Sequence, residues 1–252
     1  ARPMPRLPPV TRAYLPERSR GDLSDISVSV RPTYNRDVSR KFYTSVTIRS
    51  LVRVPREERG RPLVLALHGW GMRPRQFERW LQPGIEAGGL SWWMPRGILP
   101  CEVRSRKIGF AWYVFDGDQQ ILREGMDEAR SYLAGLVEQA RRSLDPSSVT
   151  LLGFSQGAYL GSYVALSRPD LFDRLVCGCG RPKSEFVEDW GGARGTKVLV
   201  QIGDQDESVK PELIAKGVDP MIEAGLDVDV RHYDAVHKLT PEMAADAARF
   251  AS

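Results

Sequence analysis

Leu151-Leu152-Gly153-Phe154-Ser155-Gln156-Gly157-Ala158 joins two different patterns. The stretch over residues 148–152 reads as a buried strand. From Gln156 onward, Gly161 and Ala165 give a helix a small-residue face that can lie close on a sheet. Between the two stands Gly-x-Ser-x-Gly. A serine in so sharp a strand-to-helix turn projects its hydroxyl past the end of the sheet, and its neighbours must be small for the chain to turn. Gly153 and Gly157 are those neighbours, and Ser155 is the candidate nucleophile. The motif is short enough to arise by chance. Its position between an apolar strand and a small-faced helix gives it weight.

The same alternation extends in both directions. Residues 63–67 form a continuous apolar run, as expected of a strand buried on both faces. A helix follows over 75–87 and is expected to break or bend at Pro83-Gly84. Residues 90–94 read as a short strand and 96–119 as a long loop rich in arginine and aromatics. Over 120–142, Leu122, Met126, Ala129, Leu133, Leu136, Val137 and Ala140 share one helical face. Beyond the Ser155 turn come strands over 171–177, 197–202 and 226–233, and helices over 211–224 and 241–250. Upstream, 25–30 and 42–54 are two β-like runs that look like an antiparallel start to a sheet. The expected fold is α/β: a mostly parallel central sheet with helices on both faces and antiparallel leading strands. Residues 21–252 are expected to form one domain, with 21–61 as the leading strands and 62–252 as the core. Residues 1–20, rich in Pro and Arg, read as a surface tail.

A chain of 252 residues, 42% apolar and 27% charged, is long enough for a sizeable core. No run of 18 apolar residues is present, so no membrane-spanning helix is expected. Residues 1–20 lack the apolar centre of a signal peptide. The first residue is Ala1, which reads as a processed or trimmed end and leaves the compartment open. The net charge of +4 is uneven: residues 1–61 hold 14 Lys/Arg against 6 Asp/Glu, leaving 22 against 26 for the rest. A basic arm can meet nucleic acid or an anionic surface. Without aromatic interleaving or a nucleic-acid motif, a solvated arm is the preferred reading. Of three cysteines, Cys177 and Cys179 are read as lying on one face of a strand and Cys101 in a loop, all as inert thiols. No metal-like pairing occurs, and no metal or cofactor is expected.

A serine hydroxyl needs a base, and the chain holds three histidines. His237 follows the last strand, where loops gather at the carboxyl edge of a parallel sheet, whereas His232 lies inside that strand. His237 is therefore the candidate base. The acid that would orient it is sought in Gly203-Asp204-Gln205-Asp206-Glu207. Asp206, deeper in the loop, is favoured, with Asp204 as a brace for the turn. The order Ser155, Asp206, His237 has gaps of 51 and 31 residues. Two N–H groups should face the developing oxyanion: that of Gln156, and that of Trp70 in the loop Leu67-His68-Gly69-Trp70-Gly71. Gly69 and Gly71 let that loop turn, and His68 braces it.

Together with Gly109-Phe110-Ala111-Trp112-Tyr113 and Gly203-Asp204-Gln205-Asp206-Glu207-Ser208-Val209, these segments resemble the α/β-hydrolase superfamily, and within it the phospholipase/carboxylesterase family that includes the acyl-protein thioesterases. The resemblance spans roughly residues 62–252. It implies a Ser155–Asp206–His237 triad, Trp70 and Gln156 as oxyanion donors, and Trp112 as a wall of the substrate cleft. The implied activity is hydrolysis of small-molecule carboxylic esters, with thioesters or peptides as alternative substrates and a non-catalytic binding protein as the rival of another class. The chain also departs from the family. Met72-Arg73 stands where an acidic residue is usual, and Cys101-Glu102-Val103-Arg104-Ser105-Arg106-Lys107 replaces an apolar acyl-binding loop. A basic rim at Arg104 and Arg106 predicts short or aromatic acyl groups, with some preference for anionic esters.

Overall fold

The computed structural model describes residues 23–28, 46–53, 59–103 and 107–252. The tail over 1–20, Arg104 and Arg106 lie outside the described residues.

The strands are β1 (Leu23–Val28), β2 (Val46–Arg53), β3 (Leu63–Leu67), β4 (Ser91–Pro95), β5 (Leu99–Val103), β6 (Lys107–Ala111), β7 (Val149–Phe154), β8 (Arg174–Gly178), β9 (Lys197–Gly203) and β10 (Val228–Tyr233). Eight of them form one sheet in the order β1-β2-β4-β3-β7-β8-β9-β10. The run from β4 to β10 is parallel, and β1 and β2 join it antiparallel, β2 pairing with β4. This is the expected fold class. The helices are α1 (Pro74–Glu86), α2 (Gln119–Leu144), α3 (Gln156–Ser167), α4 (Trp190–Ala193), α5 (Pro211–Glu223) and α6 (Pro241–Ala251). None of the described helices is long and apolar enough to cross a membrane.

Alternation along β3 divides the core. Leu63, Leu65 and Leu67 pack with α2, α3 and α5, while Val64 and Ala66 pack with α1 and α6 on the other face. Every residue of β3 and β7 is buried, which is why β3 reads as an unbroken apolar run and β7 as one interrupted only by Thr150. The longest helix, α2, starts on Asp118, whose side chain accepts from the Gln120 and Ile121 N–H groups, and stops at Asp145 in a left-handed conformation.

Four expectations are corrected. α1 does not break at Pro83 but runs on to Glu86. An interior proline costs about 3 kcal/mol in an isolated helix, and here α6 packs closely on α1 at Gly84, where a Cβ would stand 2.7 Å from the Ala244 carbonyl oxygen. The segment over 96–119 is not all loop, because β5 and β6 form an antiparallel hairpin. Its alternating exposure, with Pro100 and Gly109 inside it, hides it from a search for buried runs. The strand expected over 171–177 is shorter and shifted, as β8. Finally, Cys177 and Cys179 do not share a face. The strand ends at Gly178 and Cys179 turns at φ 46°, so each thiol joins a different side of the core.

Candidate active site

The carboxyl ends of the parallel strands meet at one edge, and Ser155 stands there between β7 and α3. Its φ is positive, 54° with ψ −116°, a strained state for a residue with a side chain. The two motif glycines are required by backbone contact. A Cβ on Gly153 would sit 2.2 Å from the Gly157 carbonyl oxygen, and one on Gly157 would sit 2.2 Å from that of Leu67. The second contact presses the Ser155 turn against the end of β3, where the His68 loop begins.

His237, in the loop after β10, reaches Ser155 Oγ with Nε2 at 2.9 Å. Its Nδ1 lies 2.7 Å from Asp206 Oδ2. The Asp206 side chain is fully buried, while that of His237 is 25% exposed. The other carboxylate oxygen, Oδ1, accepts the N–H groups of Ser208 and Val209 at 2.8 and 2.9 Å. The structure thus brings Ser155, His237 and Asp206 into one hydrogen-bonded row, with the carboxylate held from behind. Asp204 turns elsewhere and meets His232 Nδ1 at 2.6 Å on the exposed side of β9 and β10.

The loop after β3 is set by His68. The buried ring accepts the Gly97 N–H on Nε2 at 3.0 Å. Its proton is therefore on Nδ1, which donates to the Gly69 carbonyl at 2.7 Å. Burial outweighs that backbone bond and lowers the His68 pKa to about 4, so the imidazole is neutral at ordinary pH. The Gly69 carbonyl also accepts from the Met72 N–H at 3.3 Å. A trans peptide sets its N–H opposite its carbonyl, so fixing the Gly69 oxygen also fixes the direction of the Trp70 N–H. Among the described residues, neither the Trp70 nor the Gln156 N–H has a hydrogen-bond partner. Gly71, at φ 73°, completes the turn, and the Gly69 backbone lies against the Phe154 ring.

Trp112 is corrected. It is fully buried and lines no open cleft. Its indole N–H donates to the His68 carbonyl at 2.7 Å, and its ring centre lies 4.9 Å from that of His68. The family-like segment around it is therefore a brace beneath the loop. Sequence reasoning also missed the side chain of Gln156. Its oxygen accepts the Trp112 N–H at 3.1 Å and its amide donates to the Tyr113 carbonyl at 2.9 Å, tying residues 112–113 to the Ser155 turn. No sequence signal marks that bridge, because it joins positions more than 40 apart.

A family model described as Phospholipase/Carboxylesterase matches residues 50–252. No curated protein matches the chain. Among solved structures, the fold is similar to that of esterase PE8, with a TM-score of 0.66 and 20% identity over 81% of this chain and 98% of that one. It is similar to a carboxylesterase from Mesorhizobium loti, with a TM-score of 0.65 and 19% identity over 81% and 93% of the two chains. It is also similar to acyl-protein thioesterase 2 from Zea mays, with a TM-score of 0.64 and 19% identity over 80% and 96%.

Proposed function

The chain belongs to the phospholipase/carboxylesterase family, a hydrolase of carboxylesterase or thioesterase type, and we propose that it cleaves carboxylic esters through an acyl-enzyme formed on Ser155. The observation that carries this reading is the row of hydrogen bonds from Asp206 through His237 to Ser155 Oγ at the strained turn.

In the proposed reaction His237 Nε2 takes the serine proton as Oγ attacks the ester carbonyl. Asp206 keeps the His237 proton on Nδ1 and stabilises the imidazolium. The Trp70 and Gln156 N–H groups donate to the oxyanion of the tetrahedral intermediate. That intermediate collapses to an acyl-serine, and His237 returns the proton to the departing alcohol. Water, activated by the same imidazole, then frees the acid. The scheme calls on no metal or cofactor.

Exposed apolar side chains stand on loops at this edge: Trp70 after β3, Val114 and Phe115 after β6, and Val236 beside His237. They support a short or aromatic acyl group. Thioesters react by the same steps, so a panel of p-nitrophenyl esters, acyl thioesters and peptides decides the preferred class. The first test is labelling by a fluorophosphonate probe. Wild type is expected to react and Ser155→Ala not to. A folded wild-type protein that stays unlabelled would make this a non-catalytic binding protein.

A further inference from the structure

The loop after β8 runs directly against the Ser155 turn. A Cβ on Gly180 would stand 2.7 Å from the Ser155 carbonyl oxygen and 2.6 Å from the Ala158 Cβ. The next residue, Arg181, is therefore a neighbour of the turn. Tyr159 lies one helical turn beyond Ser155 and leans back toward the start of α3, as helical side chains do. It accepts a hydrogen bond from Arg181 Nη2 at 2.8 Å, and the guanidinium carbon lies 5.1 Å from its ring centre. The Tyr113 ring packs on Tyr159 at 6.1 Å. Arg181 follows Gly180 directly, so its side chain starts one residue from the contact with the Ser155 carbonyl.

Beyond Arg181 opens a cleft of about 500 Å³ whose lining includes Arg181, Glu185, Trp190 and Lys216. Its charge is unbalanced. Glu185 is the one carboxylate of the lining, and it already accepts from Arg181 Nη2 at 2.6 Å and from Lys183 Nζ at 2.8 Å. The Lys183 side chain is itself 3% exposed. Lys216, on α5, has no ion pair among the described residues. A guanidinium carries five N–H donors, and Glu185 and Tyr159 engage three of those on Arg181. An arginine held on two sides, with donors left over and an unpaired lysine across the cleft, is organised to receive an anion. The aromatic neighbours and Trp190 suit the chain that would carry it.

We propose that this cleft selects ester substrates whose acyl part ends in a carboxylate, bound by Arg181 and Lys216 while the scissile carbonyl lies at Ser155. The proposal rests on Ser155 being the nucleophile and adds the substrate class.

The test compares mono-p-nitrophenyl suberate with p-nitrophenyl octanoate, esters of equal acyl length that differ in the terminal charge. The ratio of their kcat/KM values is expected to fall about twofold to fivefold in Arg181→Met and in Lys216→Met, the upper part of the range for one partly exposed ionic contact. It is also expected to fall in wild type between low salt and 1 M salt, where screening shortens to about 3 Å. Lys216 stands on the helix surface, so its variant reports on the cleft even if Arg181→Met fails to fold. An unchanged ratio in both variants overturns the proposal. So does a loss confined to Arg104→Ala/Arg106→Ala, which would move the preference to the β5–β6 segment. Flat ratios in a protein that hydrolyses both esters and takes up fluorophosphonate sink the carboxylate subsite alone. Neither hydrolysis nor labelling by folded wild type sinks the esterase reading with it.

Discussion

Two histidine–aspartate pairs sit within a few residues of each other, and their contact distances are nearly the same. His237 Nδ1 meets Asp206 at 2.7 Å and His232 Nδ1 meets Asp204 at 2.6 Å. Their surroundings differ. The Asp206 carboxylate is sealed from solvent and gripped by two backbone N–H groups, and its histidine goes on to Ser155. Asp204 and His232 are each more than half exposed, and their contact ends there. Burial and the next partner in line, not the pair itself, separate a candidate catalytic element from a surface ion pair. In water-excluded surroundings a fixed carboxylate acts strongly on an imidazole, whereas an exposed one is screened.

The largest expected effect is on the buried pair. Asp206→Asn should keep the fold and lower kcat by about 10⁴, the scale seen when a triad aspartate is replaced in the serine-protease template. Steady-state kinetics on a p-nitrophenyl ester checks it. If Asp206→Asn stayed near wild type while Asp204→Asn lost activity, the comparison would be inverted.

The third histidine sharpens the contrast, because His68 has no carboxylate and acts through backbone groups. His68→Ala removes the Nδ1–H that holds the Gly69 carbonyl and leaves the Gly97 N–H without its acceptor. It should lower kcat by about 10²–10³, the cost of a misplaced oxyanion donor, with a smaller change in KM. A loss in KM alone would show that the Trp70 peptide keeps its direction without His68.

The same residue predicts a pH dependence. Its folded pKa, about 4, lies below the unfolded value of 6.5. Above the unfolded value both states are neutral and stability is complete. As pH falls through this window the unfolded chain binds a proton that the folded one refuses, and up to ~3 kcal/mol is lost. Between pH 7 and pH 5 urea unfolding should show about 2 kcal/mol of that loss in wild type and a smaller one in His68→Gln. Equal losses in the two proteins would assign the pH dependence to other groups.

The smallest effect is expected at the exposed pair. Asp204→Asn and His232→Ala should each leave kcat/KM within about twofold and shift stability by ~0.2–1 kcal/mol. A larger change in kcat/KM from either would mean that the surface pair is coupled to Ser155.

Much of this architecture was legible before folding because its signals are local. A strand buried on both faces is apolar along nearly its whole length, so β3 and β7 stand out in the chain. The turn at Ser155 needs two small neighbours within two positions, so it too is written locally. The features that escaped depend on distant partners. Pro83 lies inside α1 where α6 packs close at Gly84, and the buried Trp112 donates its indole N–H to the His68 carbonyl. The β5–β6 hairpin alternates in exposure and contains residues that weaken strands, so nothing in its own residues separates it from loop.

The sequence by itself determined the alternation of strands and helices, the candidate nucleophile, and the order serine, aspartate, histidine, since each follows from side-chain period, backbone sterics and position relative to strand ends. Position in the loop favoured Asp206 over Asp204 as the partner of His237, and the tertiary structure decided which aspartate faces which histidine. Asp204 and Asp206 are two residues apart on one loop and chemically identical. Only the packing of β9 against β10, and the backbone N–H groups waiting behind Asp206, turn one carboxylate inward and leave the other in water.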